Sequence, residues 1–394
     1  MSRLIFYIKN YKINLKMNLF IIIQLVFMLL IVNANVSDVM YLRNTAYYCK
    51  EVPQNIYFLS GATKGSVLLG DVAEFYSFVD ELNQSSAILD VGYQLEDGVY
   101  IKDEDDQVIP YIYLNSTMQE IEYPLKKGEW FSKSTKDNGI QIVIGGEIGK
   151  RYKVGETIRL LDAIKIDNKI EYREIDAEII GILKDPSYVI NLGVSASRPT
   201  YNNLYDEYQN VILSNSDIVI DYDGVVRYPL GSVTVKLDDD ADKDSITKYG
   251  QLFSFNDIEE NSKTSYFKNI MNKLPSVLII IAAVVFGLVG TTYLYVYRYM
   301  KTTTIYYLTG LSKKKCQYLI MSNNLISLIV AVIVSILLLL FNEELRESLF
   351  ARNPVGLANI VITLGFAMVV ALISNIASKH FSKDTIYMAL RRFQ

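Results

Sequence analysis

The sequence predicts a membrane protein with four transmembrane α-helices and a large extracytoplasmic α+β domain between the first and second spans. Three observations predict this. The runs 17–35, 275–297, 319–341 and 356–377 are apolar and hold no Asp, Glu, Lys or Arg. Helices of that length reach across a hydrocarbon core of ~30 Å at ~1.5 Å per residue, the first run only just. Charge is segregated: residues 36–274 hold 24 Lys/Arg against 39 Asp/Glu, and the remainder holds 15 against 4. Finally, 36–274 alternates helix-like and strand-like patterns.

The elements follow in chain order. Residues 1–16 carry Arg3, Lys9, Lys12 and Lys16 and no acid. Leu4, Ile8, Tyr11 and Leu15 recur at helical spacing beside those lysines, which predicts a cytoplasmic amphipathic helix along the inner leaflet. The first run, 17–35, also fits a cleaved signal peptide ending at Val32-Asn33-Ala34. The long, patterned basic segment before it favours a retained span.

In 36–274, Val72, Phe75, Val79 and Leu82 predict one face of a helix. Strands are expected at 85–94, at 98–114 with a turn at Asp103–Asp106, and at 140–146 before a short helix. Further strands are expected at 156–162 and 174–183, flanking a turn at 167–169, and then through 209–237. The domain reads as α+β with two lobes, bounded near 115–125 and 185–230. A helix starts near Asp257 and runs into the second span, where Pro275 either kinks it or marks membrane entry. Asp238, Asp240, Asp242 and Asp244 alternate as in a calcium loop, but Lys243 and Tyr249 replace the glycine and glutamate that loop requires. That run and Asp103–Asp106 read as solvated turns. Cys49 and Cys316 fall on opposite sides of the membrane, so no disulfide frames the domain.

Segment 298–318 carries Arg298, Lys301, Lys313, Lys314 and Lys315. Segment 342–355 is a short extracytoplasmic loop, and 378–394 a mostly basic tail. Excess Lys/Arg marks cytoplasmic loops, so both termini and 298–318 lie inside and 36–274 outside. Ala283 with Gly287, and Ala367 with Ala371, are small-xxx-small pairs that let helices approach, within the chain or between two copies. Tyr293, Tyr295, Tyr297 and Tyr299 form an interfacial belt.

No catalytic or cofactor chemistry is visible. No G-x-x-x-x-G-K-[ST] occurs, and GATKGS at 61–66 lacks its spacing. The single histidine, His380, follows the fourth span. Zinc-ligand clusters and a Ser/His/Asp arrangement are absent from the sequence. Spans without ionisable groups argue against an ion-coupled carrier. The chain is expected not to be an enzyme, to bind no cofactor or metal and no nucleic acid, and to contact membrane lipid.

The segment KTTTIYYLTGLSKKKCQY at 301–318 is more patterned than a linker needs to be. Thr302 or Thr303 can cap a short helix, Ile305, Tyr306 and Leu308 give it an apolar side, and Gly310 can end it. Ser312 can cap the next helix. The alternative is an amphipathic linker resting on headgroups.

This segment resembles the stretch between the second and third spans of MacB/FtsX-type ABC permeases, a coupling helix that ends in a leucine-x-glycine-x-serine turn with basic residues. Leu308, Gly310, Ser312, Lys313 and Lys314 match that pattern. Thr302-Thr303-Thr304-Ile305 stands where the family often has an Arg-Glu-Ile run. Residues 125–161 and 177–185 resemble the MacB-type outer core through Gly128, Trp130, Phe131, Gly145, Gly155, Glu156 and Gly181.

The resemblance implies a permease subunit in a bacterial cell membrane. Two permease chains, identical or related, would pair, and ATP and Mg would sit on a separate ABC ATPase. That partner would dock at Ile305, Tyr306, Leu308, Gly310, Leu311, Ser312, Lys313 and Lys314. ATP-driven mechanotransmission would then export or extract a peptide, antibiotic, lipid or lipoprotein at the outer face. Two other readings are a sensor or regulator whose outer domain binds an envelope partner, and a membrane-anchored hydrolase.

Overall fold

The computed structural model describes residues 11, 15–48, 52–60, 72–102, 104, 107–131, 139–166, 169–192, 197–217, 233–238, 240–310, 312–341, 359–373, 375 and 376. The chain forms two compact units, Leu42–Phe267 and Met1–Tyr41 with Lys268–Gln394.

The elements begin with α1 (Leu15–Ala46), β1 (Ile56–Ser60), α2 (Val72–Asn83), β2 (Ile88–Gly92), β3 (Gln94–Ile101) and β4 (Ile109–Leu114). Then come α3 (Ser116–Gln119), β5 (Leu125–Gly128), β6 (Ile140–Gly146), α4 (Ile148–Arg151), β7 (Thr157–Ile166) and β8 (Lys169–Leu183). They continue with β9 (Ser187–Ile190), α5 (Tyr201–Leu204), β10 (Tyr205–Tyr208), β11 (Asn210–Ser214), β12 (Val233–Leu237) and β13 (Gln251–Ser254). The helices α6 (Phe255–Leu308), α7 (Lys313–Phe341) and α8 (Asn359–Ile373) complete the order.

In the β-rich unit, seven strands run in the order β5-β8-β6-β11-β4-β3-β7, and β7 also pairs with β8. Six of them therefore close into a barrel. The 15-residue β8 makes closure possible: its first part pairs with β7 through Ile166↔Lys169 to Thr157↔Glu178. Its last residues pair with β5 at Gly128↔Gly181 and Leu125↔Leu183. Closure removes free sheet edges, and β5 remains as a short spur. Alternate residues of these strands point inward, and Val99, Tyr111, Ile142, Ile144, Leu160, Ala177 and Ile212 are buried in one cluster.

The second sheet, β13-β1-β12-β2, is covered by α2, whose Phe75, Phe78, Val79 and Leu82 join that same cluster. One continuous core therefore spans both sheets. The two-lobe expectation is corrected accordingly. The chain passes between sheets at Tyr93 and returns at β12, not near 115–125, because the small sheet is assembled from strands at both ends of the segment. Tyr93 stands in the passage: its N–H donates to Asn115 Oδ1 at 3.0 Å, and Asn115 also caps α3.

The acidic turns serve the fold locally. Glu104 accepts from Arg151 Nη1 and from the Tyr152 hydroxyl, each at 2.7 Å. Burial, then that carboxylate, pushes the Tyr152 phenol up to about 12. Asp242 caps a 3-10 turn at Lys243–Ile246. Asp103, Asp105, Asp106 and Asp239 lie outside the described residues, as do Cys49 and His380.

In the helical unit, Asn18–Ala46, Phe255–Gly287 and Asn324–Phe341 are long and apolar enough to cross a membrane, and α8 is a shorter apolar helix. Of the expected fourth span, residues 356–358, 374 and 377 lie outside those described. α1 continues past the expected end at 35 to Ala46 with no glycine or proline to stop it. Asn33 Nδ2 donates to Thr363 Oγ1 at 2.8 Å, and Asn359 Nδ2 to Ser37 Oγ at 2.9 Å. Each helix contributes its pair four residues apart, on one face. The pairing 33 with 363 and 37 with 359 therefore makes α1 and α8 antiparallel. All four residues are buried, and such interhelical bonds contribute ~0.6–2 kcal/mol each in membranes.

Candidate functional site: the tip of α6 and an aromatic cleft

α6 is a single helix of 54 residues, with Pro275 inside it. At ~1.5 Å per residue it is ~80 Å long. A reciprocal capping box fixes its start. Asp257 N donates to Ser254 Oγ at 3.0 Å, and Ser254 N donates to Asp257 Oδ2 at 3.2 Å. The first turns are held within the β-rich unit. Phe255, Ile258 and Ser262 are buried, and Ser262 Oγ accepts from Tyr201 N at 2.8 Å.

The far end corrects one expectation. No separate helix starts at Thr302 or Thr303, because both lie inside α6. Nothing between 276 and 304 breaks the i→i−4 ladder apart from permissive glycines, so a side-chain cap has no free N–H group to satisfy. The helix ends where predicted. Thr309 N still donates to Ile305 O at 2.9 Å, Gly310 N turns to Tyr307 O at 3.1 Å, and Gly310 takes a φ of 98°. Glycine adopts this left-handed stop without strain.

Around the stop, Ile305 and Leu308 are 58% and 66% exposed, Tyr307 is exposed and Tyr306 half-buried. Ser312 is exposed and precedes α7. Lys313 and Lys314 are the first helical residues of α7, and Leu311 lies outside the described residues. The geometry is an apolar helix tip beside a basic helix start.

The second place is a cleft of about 1090 Å³ in the β-rich unit. Four segments line it: the end of α1 with Tyr47 and Tyr48, residues 122–130, residues 184–188, and Tyr266 with Phe267 of α6. Its charges are mixed, with Arg43 and Lys184 against Glu122, Glu129 and Asp185. Tyr47 and Phe267 are 43% and 60% exposed, with Lys263 Nζ 5.7 Å from the Tyr47 ring centre and Tyr266 5.3 Å from the Phe267 ring. Tyr48 is fixed: its hydroxyl accepts from Tyr188 N at 3.3 Å, and its ring meets Tyr188 edge-on at 5.0 Å.

Two of the residues that carry the outer-core resemblance line this cleft, Gly128 and Trp130. Trp130 is 1% exposed, its Nε1 donates to Gln119 O at 2.6 Å, and it stacks edge-on with Tyr123 and Phe131. It is a wall, with no free face. Gly128 has φ +87°, and a Cβ there would meet Ile180 O at 2.2 Å. Its neighbour across the ladder, Gly181, packs on Glu129 O. Gly145 packs on Ser187, and Gly155 turns the chain into β7 with its N–H on Ile179 O at 2.7 Å. Gly128 and Gly181 let β5 and the 128–131 turn close onto β8.

Tyr47, Tyr48, Tyr188, Tyr266 and Phe267 were missed by the sequence reading. A signal was present: aromatic doublets at 47–48 and 266–267 flank the outer segment, and paired rings next to membrane helices mark interfaces.

The small-residue pairs separate. Gly287 lies against α1, where a Cβ would meet Gln24 Nε2 at 2.0 Å, so it serves packing within the chain. Ala367 is buried and Ala371 partly buried in the core shared with α1 and α7. Ala283 is exposed.

No protein-family model matches the chain, and no curated protein matches it. Among solved structures it is similar to the periplasmic region of MacB from Actinobacillus actinomycetemcomitans, at 14% identity over 54% of this chain and 94% of that one, with a TM-score of 0.29. It is also similar to the extracellular domain of the noncanonic ABC-type transporter YknZ from Gram-positive bacteria, at 13% identity, 50% and 88% coverage, and a TM-score of 0.26. A third similarity is to a domain described as part of a permease protein from Porphyromonas gingivalis, at 12% identity, 53% and 94% coverage, and a TM-score of 0.26.

Proposed function

We propose that the chain is a permease subunit of a MacB/FtsX-type ABC transporter, a force transmitter in the cell membrane with no nucleotide site of its own. The observation that carries this reading is the exposed apolar end of α6 and its left-handed stop at Gly310. The helix that ends there starts on a capping box and buried side chains in the β-rich unit and carries Pro275 within it. A separate ATPase with ATP and Mg docks on that tip and the adjoining basic start of α7. Two permease chains pair, and 356–377 forms the fourth span.

The β-rich unit lies outside. Its cleft, with exposed aromatic rings and charges of both signs, suits an amphipathic peptide or lipid-linked chain better than a small ion. Spans free of charge agree with work done on a substrate at the outer face, since nothing hydrophilic need pass between them.

Orientation is testable with the two native cysteines. In intact cells a membrane-impermeant maleimide is expected to label the Cys316→Ser variant, through Cys49, and to leave Cys49→Ser unlabelled until the membrane is opened. Labelling of Cys316 from outside overturns the reading.

A further inference from the structure

The helical unit carries a groove that no coupling role requires. It has a volume of about 670 Å³, and its lining, which includes Leu25, Leu325, Leu328, Met368 and Leu372, is almost wholly apolar. The volume falls within the ~300–1,000 Å³ typical of ligand sites. On α7 its residues Tyr318, Ser322 and Leu325 follow one another at helical spacing. Continuing that stripe one step toward the helix start reaches Lys315, which is exposed. The groove's lining is apolar, and Lys315 stands one helical step beyond Tyr318 on the same helix. Asn375 also lines it, and its Oδ1 is buried and accepts no hydrogen bond among the described residues.

We propose that this groove is a binding site for one anionic phospholipid, with an acyl chain along Leu325, Leu328 and Met368 and the phosphate at Lys315. An apolar chain matches the lining, and a basic residue at the cytoplasmic end of a groove between helices is how anionic headgroups are held. A headgroup hydroxyl, such as that of phosphatidylglycerol, supplies the donor that Asn375 Oδ1 lacks; a choline headgroup has none. A second copy of the chain is the poorer occupant. A two-fold interface sets the same patch against itself, which would bring the two Lys315 ends together. The proposal rests on the membrane reading of these helices.

The test uses the full chain with Leu325→Trp, reconstituted in vesicles of phosphatidylcholine and phosphatidylglycerol, with one or the other lipid brominated on its chains. Trp130 is the sole native tryptophan, so the unsubstituted protein gives the background. Brominated phosphatidylglycerol is expected to quench the new indole with about fivefold preference, the effect of ~1 kcal/mol from one lysine at a membrane surface. Lys315→Gln should reduce the preference to about one. Met368→Trp, on the other wall, should report the same preference, which guards against a variant that fails to assemble. Equal quenching by both lipids means ordinary bulk lipid contact and overturns the site while leaving the membrane reading intact. No quenching by either means that protein covers the groove, and also overturns it.

Discussion

Leu308→Asp and Gly310→Pro are each expected to lower ATP-driven work by about tenfold or more, a coupling loss of ~1.4 kcal/mol, with the β-rich unit still folded. Leu308 is the most exposed apolar side chain at the tip, at 66%. A carboxylate there removes an apolar anchor and adds negative charge at the negative end of a helix dipole. Gly310 acts through the backbone. Its φ of 98° is closed to proline, whose ring holds φ near about −65°. The stop would have to reorganise, re-aiming the tip against the start of α7. No heavy atom lies within 4 Å of the place a Cβ would occupy at Gly310. Gly310→Ala therefore tests backbone strain without a clash and should fall between wild type and proline. The measurement is transport or substrate-stimulated ATP hydrolysis of the assembled complex, with circular dichroism reporting the fold. Unchanged coupling in both variants contradicts the proposed grip point.

Trp130→Ala is expected to destabilise the β-rich unit by about 3–5 kcal/mol, the range for a large aromatic removed from a packed core. The indole is 1% exposed, sits against Tyr123 and Phe131, and ties residue 130 to α3 through the Gln119 carbonyl. Truncation leaves a cavity and orphans that carbonyl. Trp130→Phe keeps most of the packing while losing the hydrogen bond and part of the ring volume, and should cost about 1–3 kcal/mol. Far-UV circular dichroism during urea unfolding of the full chain checks both values. If alanine costs no more than phenylalanine, Trp130 does not hold the 128–131 turn on the barrel.

Local structure was legible in the sequence where one pattern fixes one element. The alternation in 98–114, broken by acids at 103–106, marks the β3–β4 hairpin, and the pattern across 156–183 marks β7 and β8. Phe75, Val79 and Leu82 announce the covered face of α2. Assembly was not legible. Barrel closure depends on the parallel pairs β4 with β11 and β6 with β8, which join strands far apart in the chain and leave no local signal. The small sheet has the same origin.

At the candidate site, the stop at Gly310 was readable because left-handed backbone favours one residue type. The continuity of α6 through Thr302 and Thr303 was not, because threonine favours a cap and is only tolerated inside a helix, so its pattern pointed to a start. The cleft stayed hidden because its aromatic walls come from four separated segments.

The central claim is that this chain transmits work from an ATPase that it does not contain. The most direct measurement places a photo-crosslinking side chain at position 308 in native membranes and identifies what it captures. The account predicts a separate nucleotide-binding chain, captured from the cytoplasmic side and lost with Gly310→Pro. Capture of an extracytoplasmic protein, or of no nucleotide-binding chain at all, would contradict it.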